Sequence, residues 1–144
     1  MDELKTNKEC DRVKRKVALS VAFVISLMPM LLNQYGGAKG VQEITGLINL
    51  LNPIGIVSVA LFAVGVWMPF KKQVIGKYIG MMGSIGIVAS ELYEFFTWYA
   101  QTITGKISIQ LSIQFAFPEF YVGLMASVVM VIFYFMMFKH ISND

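Results

Sequence analysis

Two carboxylates, Glu91 and Glu94, stand three residues apart in the stretch SELYEFFTWY, at the end of an apolar run that begins at Val74. Such a pair can bind a proton or a cation, do acid–base work, or attract a cationic partner. On a helix, Gly80, the adjacent Gly83 and Ser84, Ile87, Glu91, Glu94 and Trp98 are related by steps of three and four and share one face. A face of small residues packs inward, so the carboxylates point inward too. No span contains an arginine, so the pair must be protonated, hydrated or bound to a cation.

Depth separates the two residues. With hydrocarbon starting near Tyr78 and Lys77 reaching back to the headgroups, Glu91 lies roughly 20 Å along the helix and Glu94 roughly 24 Å. A charge at the centre of a span costs about 2.5–3.5 kcal/mol and less toward the interface. Glu91 is therefore the more informative residue, and Glu94 is expected to be wet. The expected roles are a hydrated outer vestibule, a cation or proton site serving transport, or an outer-leaflet docking patch for a cationic segment.

Other chemistry finds no residues. His140 is the single histidine and Cys10 the single cysteine, both in polar terminal segments, which excludes an intramolecular disulfide and a thiol relay. No Cys/His metal set, phosphate-cradling glycine loop or nucleophile motif is present. The expectation is a non-enzymatic protein with no cofactor and no metal.

The elements that must carry these side chains are membrane helices. Of the 144 residues 56% are apolar and 15% charged, too greasy for a soluble domain. Four nearly charge-free runs approach the roughly 20 residues that cross about 30 Å of hydrocarbon. The fold class expected is an all-α integral membrane protein with four transmembrane helices, at residues 17–32, 53–70, 74–99 and 119–138. Ten of the twelve Lys and Arg residues fall at alternate ends of this path, leaving only Lys39 and Lys106 on the other side. By the positive-inside rule both termini are cytoplasmic, in a multi-pass protein of the cell membrane, and the basic charge is a topology signal rather than a nucleic-acid footprint. Residues 1–16 read as a mobile basic tail and 139–144 as a second tail. A basic region before sixteen apolar residues also has the form of a signal peptide, but Asp2, Glu3, Glu9 and Asp11 argue against cleavage.

Two outer segments have their own patterns. Val41, Ile44, Leu47, Ile48 and Leu51 recur at helical spacing, which predicts a short interfacial helix over 41–51. Asn52 and Pro53 then supply a cap and a first-turn proline for the second span. Within the outer loop of residues 100–118, the segment 106–117 alternates apolar and polar, which predicts a short extracytoplasmic β-strand with Leu111 and Ile113 on one face. Its partner would be residues 100–105, the 33–40 loop, another copy or a different protein. Gly76, Gly80, Gly83 and Ser84 in the third span, with Gly123 and Ser127 in the fourth, read as close-packing positions.

The candidate binding residues are Glu91, Glu94, Trp98, Leu111 and Ile113. In size and topology the chain looks like the small polytopic immunity proteins that protect producers from their own pore-forming toxins. That likeness implies an accessory or immunity-type protein, binding a membrane partner or membrane-active peptide through its outer loops. The alternative is a small cation- or proton-coupled transporter working as a homo-oligomer. The chain is similar in outline to the small multidrug-resistance exporters, but lacks a glutamate within its first span.

Overall fold

A computed structural model describes residues 2–37, 42–68, 73–101 and 105–139. Lys39, Val41, Pro69 to Lys72 and His140, used above for boundaries and topology, lie outside them. The chain is predominantly helical. Helix α1 runs Asp2–Leu27 and passes into a 3-10 turn, Met28–Leu31. Strands β1, Asn33–Tyr35, and β2, Ile44–Thr45, follow, then helices α2 (Leu47–Leu51), α3 (Pro53–Trp67), α4 (Gln73–Tyr99), α5 (Ile109–Phe115) and α6 (Pro118–Lys139).

Two helices are long and apolar enough to cross a membrane by length and composition, Val74–Tyr99 and Pro118–Met137. Helix α3 is also apolar but shorter. The long helices turn apolar residues outward, among them Val24, Ile25, Val57, Val64, Met82, Ile85, Val122 and Val129. Serines and glutamates are enclosed instead: Ser58, Ser84, Ser90, Glu91, Glu94 and Ser127. An aqueous fold would reverse that arrangement, because exposed apolar area costs about 25 cal/mol per Å² in water.

Helices α1, α3, α4 and α6 pack as a ring in which each meets two neighbours, with α3 and α4 the most closely apposed. Glycine explains that closeness. A β-carbon on Gly65 would strike the backbone of Gly80, and one on Gly83 would strike the backbone of Phe62. One core, centred on Leu19, Phe23, Phe62, Val66, Ile87 and Tyr134, fills the middle of the ring. The Phe23 and Phe62 rings stack at 3.8 Å.

Several elements differ from the sequence expectations. The basic segment is no irregular tail: α1 is continuous from Asp2. The segment prolongs a helix already nucleated by the apolar half, and Lys14 lies 4.0 Å from Asp11 on its surface. At the outer end Pro29 sits in the first turn of the 3-10 segment, where its missing N–H and fixed φ end the α-helix at Leu27. The helix expected over 41–51 is confined to Leu47–Leu51, because Ile44–Thr45 pairs antiparallel with Asn33–Tyr35.

The strand expected over 106–117 is a helix, α5. Ser108 caps it weakly, accepting from the Leu111 N–H at 3.5 Å, and the Ser112 hydroxyl bonds back to the Ser108 carbonyl at 3.0 Å. The alternation misled because only the packing of the fold separates its apolar residues: Leu111 and Phe115 turn toward the aromatic core while Ile109 and Ile113 face outward. Extended backbone survives only at its end. Ala116 bridges to Tyr35, with Phe117 N–H donating to the Gln34 carbonyl at 2.8 Å and Gly36 N–H to the Phe115 carbonyl at 3.1 Å.

Candidate functional site

The outer end of the helix ring carries a buried polar cluster to which five elements contribute. It starts at the α2–α3 junction. Asn52, in extended conformation, accepts from the Gly55 N–H at 2.8 Å through Oδ1, and Pro53 occupies the first helical position. This N-cap fixes the Asn52 side chain, so its Nδ2 is aimed across at α4. There it donates to Glu94 Oε1 at 3.0 Å and Ser90 Oγ at 2.8 Å. The Ser90 hydroxyl in turn approaches the Asn49 carbonyl closely. Asn49 Nδ2 donates to Gln34 Oε1 at 2.7 Å, and Gln34 Nε2 donates to the Pro29 carbonyl at 3.3 Å. A continuous hydrogen-bonded path thus links α4, the α2–α3 junction, β1 and the 3-10 turn.

Glu91 lies beside this path rather than in it. It is fully enclosed, and neither carboxylate oxygen has a hydrogen-bond partner among the described residues. Gly123 on α6 leaves room for it: a β-carbon there would lie 3.0 Å from Gln34 Nε2 and 3.4 Å from Glu91 Oε1. The Ser127 hydroxyl, one turn along α6, faces Glu91 without a formed hydrogen bond. Asn49 Oδ1, Tyr35 Oη and Glu94 Oε2 are likewise buried and unpartnered among the described residues. Unmet buried polar atoms are rare in folded proteins and mark sites with a purpose.

The cluster is roofed by aromatic rings. Tyr35 stacks on Trp98 at 5.3 Å and meets Phe120 at 5.5 Å, while Phe120 stacks on Phe95 at 4.9 Å and Tyr99 on Phe115 at 5.6 Å. Leu111 and Phe115 of α5 and Ile44 and Ile48 pack against these rings. Burial first, and then the nearby charge of Glu91 and Glu94, pushes the Tyr35 phenol far above its ordinary value. Its hydroxyl therefore keeps its proton and remains a donor.

These positions correct two expectations. Glu94 is not wet, being only 3% exposed, because the loop layer folds down over the helix end. Of the aromatics around it on α4, Tyr93 and Phe96 face outward, while Phe95, Trp98 and Tyr99 are buried. Leu111 and Ile113 do not share a face: Leu111 packs on the aromatic roof while Ile113 is 56% exposed. Gly76, Gly80, Gly83 and Ser84 line the interior side of α4, Gly76 against Gly65 and Met68, and Gly80 against Tyr134. Gly123 and Ser127 belong to the polar cluster.

Gln34, Tyr35 and Asn49 escape a sequence reading. Asn49 falls on the polar side of a short amphipathic segment, which ordinarily faces water. The signal that could have found it is its position one turn before Asn52, which places both amides over the start of α3. Among the described residues no group of three or more His, Cys, Asp or Glu side chains gathers as a metal site. Compared with protein-family models, curated proteins and solved structures, the chain matches none of them.

Proposed function

We propose that this chain is a four-span, multi-pass protein of the cell membrane, with both termini cytoplasmic, that works as a small cation- or proton-coupled transporter through Glu91 and Glu94. The observation that carries this reading is Glu91 itself, enclosed on a membrane-length helix with both carboxylate oxygens lacking a hydrogen-bond partner among the described residues. A carboxylate so placed does not serve stability, because burying it without partners costs more than an apolar residue would. It serves a ligand that comes and goes. Four helices alone leave little room for a path, so the working unit is taken as a homo-oligomer in the bilayer. Flux into proteoliposomes under a proton or cation gradient tests the reading. Transport by the wild type that is lost in Glu91→Gln supports it, and absence of flux under any gradient rules it out.

A second reading rests on a different surface. Ile109 and Ile113 on α5 and Leu51 on α2 face outward beside the folded loop layer, an apolar rim that suits a membrane partner or membrane-active peptide. On that reading the chain is an accessory or immunity-type protein. Glu91 and Glu94 cannot then be part of the docking patch, since the loops cover them. Protection of expressing cells from a membrane-active peptide, lost in Ile109→Lys with Ile113→Lys but retained in Glu91→Gln, would favour this second reading.

A further inference from the structure

The buried polar cluster has more acceptors than hydrogens. Six acceptor-capable atoms remain unpartnered among the described residues: the two oxygens of Glu91, Oε2 of Glu94, Oδ1 of Asn49, and the hydroxyls of Tyr35 and Ser127, which carry one proton each. Rotating both hydroxyls to donate satisfies two of the four carboxylate and amide oxygens and leaves two with nothing. Asn49 Oδ1 is enclosed, its own Nδ2 is committed to Gln34, and it sits next to the Tyr35 hydroxyl, which also lies close enough to Glu91 and Glu94 to feel both charges. A proton that Tyr35 gives to this amide oxygen is not available to the carboxylates. Something positive is missing from the set.

We propose that Glu91, Glu94, Asn49, Tyr35 and Ser127 form a binding site for one small hard monovalent cation of the sodium class, with Glu91 supplying the charge and Glu94 carrying a proton. The donor set is all oxygen, with no nitrogen or sulfur ligand, which selects hard cations over transition metals. Charge balance then limits the choice. Two carboxylates in a low-dielectric site are neutralised by one divalent ion, or by one monovalent ion and one proton. A calcium-class ion asks for six to eight oxygens; with one oxygen of Glu94 already held by Asn52, it would need all six remaining atoms at once, the two neutral hydroxyls included. The monovalent ion with a protonated Glu94 fits the donors that remain. The titratable groups facing the site are Glu91 and Glu94 from α4 and Tyr35 from β1; the side chains contributed by the α2–α3 junction and α6, namely Asn49, Asn52, Gly123 and Ser127, carry no charge.

This inference rests on the reading of the Glu91 cluster as a ligand site, but not on transport. The test is thermal unfolding of the purified full chain in detergent, together with Trp98 fluorescence in a Trp67→Phe background. NaCl, KCl, choline chloride and CaCl2 are titrated at constant ionic strength. The expected result is a saturable rise in melting temperature with Na⁺, larger than with K⁺ and absent with choline, since a ligand that binds only the folded state stabilises it by mass action. The midpoint moves to higher Na⁺ as the pH falls, because a proton on Glu91 excludes the ion. Glu91→Gln abolishes the response. Ser127→Ala raises the midpoint about threefold to tenfold, the loss of one modest interaction, and should fold because its hydroxyl has no formed hydrogen bond among the described residues. A response to pH alone, a response to Ca²⁺ but not Na⁺, or a Na⁺ response unchanged in Glu91→Gln would each overturn the assignment. Saturable Na⁺ binding without flux leaves the site standing and removes the transporter; proton-driven flux without any Na⁺ response does the reverse.

Discussion

Asn52 touches three elements with one amide: it caps α3 at Gly55, holds Glu94 and holds Ser90. Replacing it with alanine removes a helix cap and leaves two buried acceptors without a donor. We expect Asn52→Ala to destabilise the protein by about 2–4 kcal/mol, the sum of a cap and a buried hydrogen bond to a charged or hydroxyl group. Asn52→Ser restores the cap alone and should recover about 1 kcal/mol of that. Equal losses in the two variants, read from reversible unfolding in mixed micelles, would show that the cap contributes nothing. Tyr35 makes a separate expectation about pH. Its folded phenol holds the proton well above the ordinary value of 10.0, so the folded state binds more protons than the unfolded state once the unfolded phenol ionises. Stability from this group is therefore complete below about pH 10 and is lost as the pH rises beyond it. The melting temperature should fall more steeply above pH 10 in the wild type than in Tyr35→Phe.

At the scale of elements, α5 distinguishes a helix from the strand its alternation suggested. On a strand Leu111 and Ile113 would be equivalent. On α5 the first is packed against the buried aromatic cluster while the second faces outward. Leu111→Lys should cost about 2–4 kcal/mol through a buried charge and lost packing, and Ile113→Lys should leave thermal stability within about 0.5 kcal/mol. Similar losses in both would contradict the helix. The α3–α4 contact gives a parallel case. Gly83→Val drives a side chain into the Phe62 backbone and should destabilise by about 1–3 kcal/mol or more, while Ile85→Val on the outward face should be nearly silent. The small-residue face of α4 and the cap at Asn52-Pro53 were legible in the sequence, because both follow from local spacing and backbone chemistry. The inward turn of Asn49 was not, because it depends on what lies beneath α2. Polar residues on a lone interfacial helix face water by default, but here the end of the bundle is itself polar, with Ser90 and Gln34 waiting for Asn49.

At the scale of the whole molecule the two ends of the helix ring differ in chemistry. One end gathers Lys16, which donates to the Met68 carbonyl at 3.0 Å, and Lys77, whose carbonyl accepts from Tyr134 at 3.2 Å. The other gathers Gln34, Asn49, Asn52, Glu91 and Glu94. Helices α1, α3, α4 and α6 run alternately between these ends, so all four cross the same thickness of molecule, although only α4 and α6 are apolar over a full membrane length. Helix α3 has 15 residues and reaches only about 22 Å at 1.5 Å per residue; the α2 turn stacked above it, joined through Asn52, makes up part of the shortfall. If the basic end is cytoplasmic, as proposed above from the lysine distribution, Cys10 near the start of α1 lies inside and Gly105 near α5 lies outside. Cys10 is the single cysteine and is exposed, so the native chain carries its own topology probe. A membrane-impermeant maleimide should leave Cys10 unlabelled in intact cells and label it in inside-out vesicles. Gly105→Cys in a Cys10→Ser background should show the opposite pattern. Gly105 has a positive φ of 66° and nothing within 4 Å of where a β-carbon would sit, so the substitution adds local backbone strain of roughly 1 kcal/mol without a steric clash, and the labelled protein should still fold. Labelling of both positions from the same side would mean that an odd number of helices does not separate them, and the four-span arrangement would have to be abandoned.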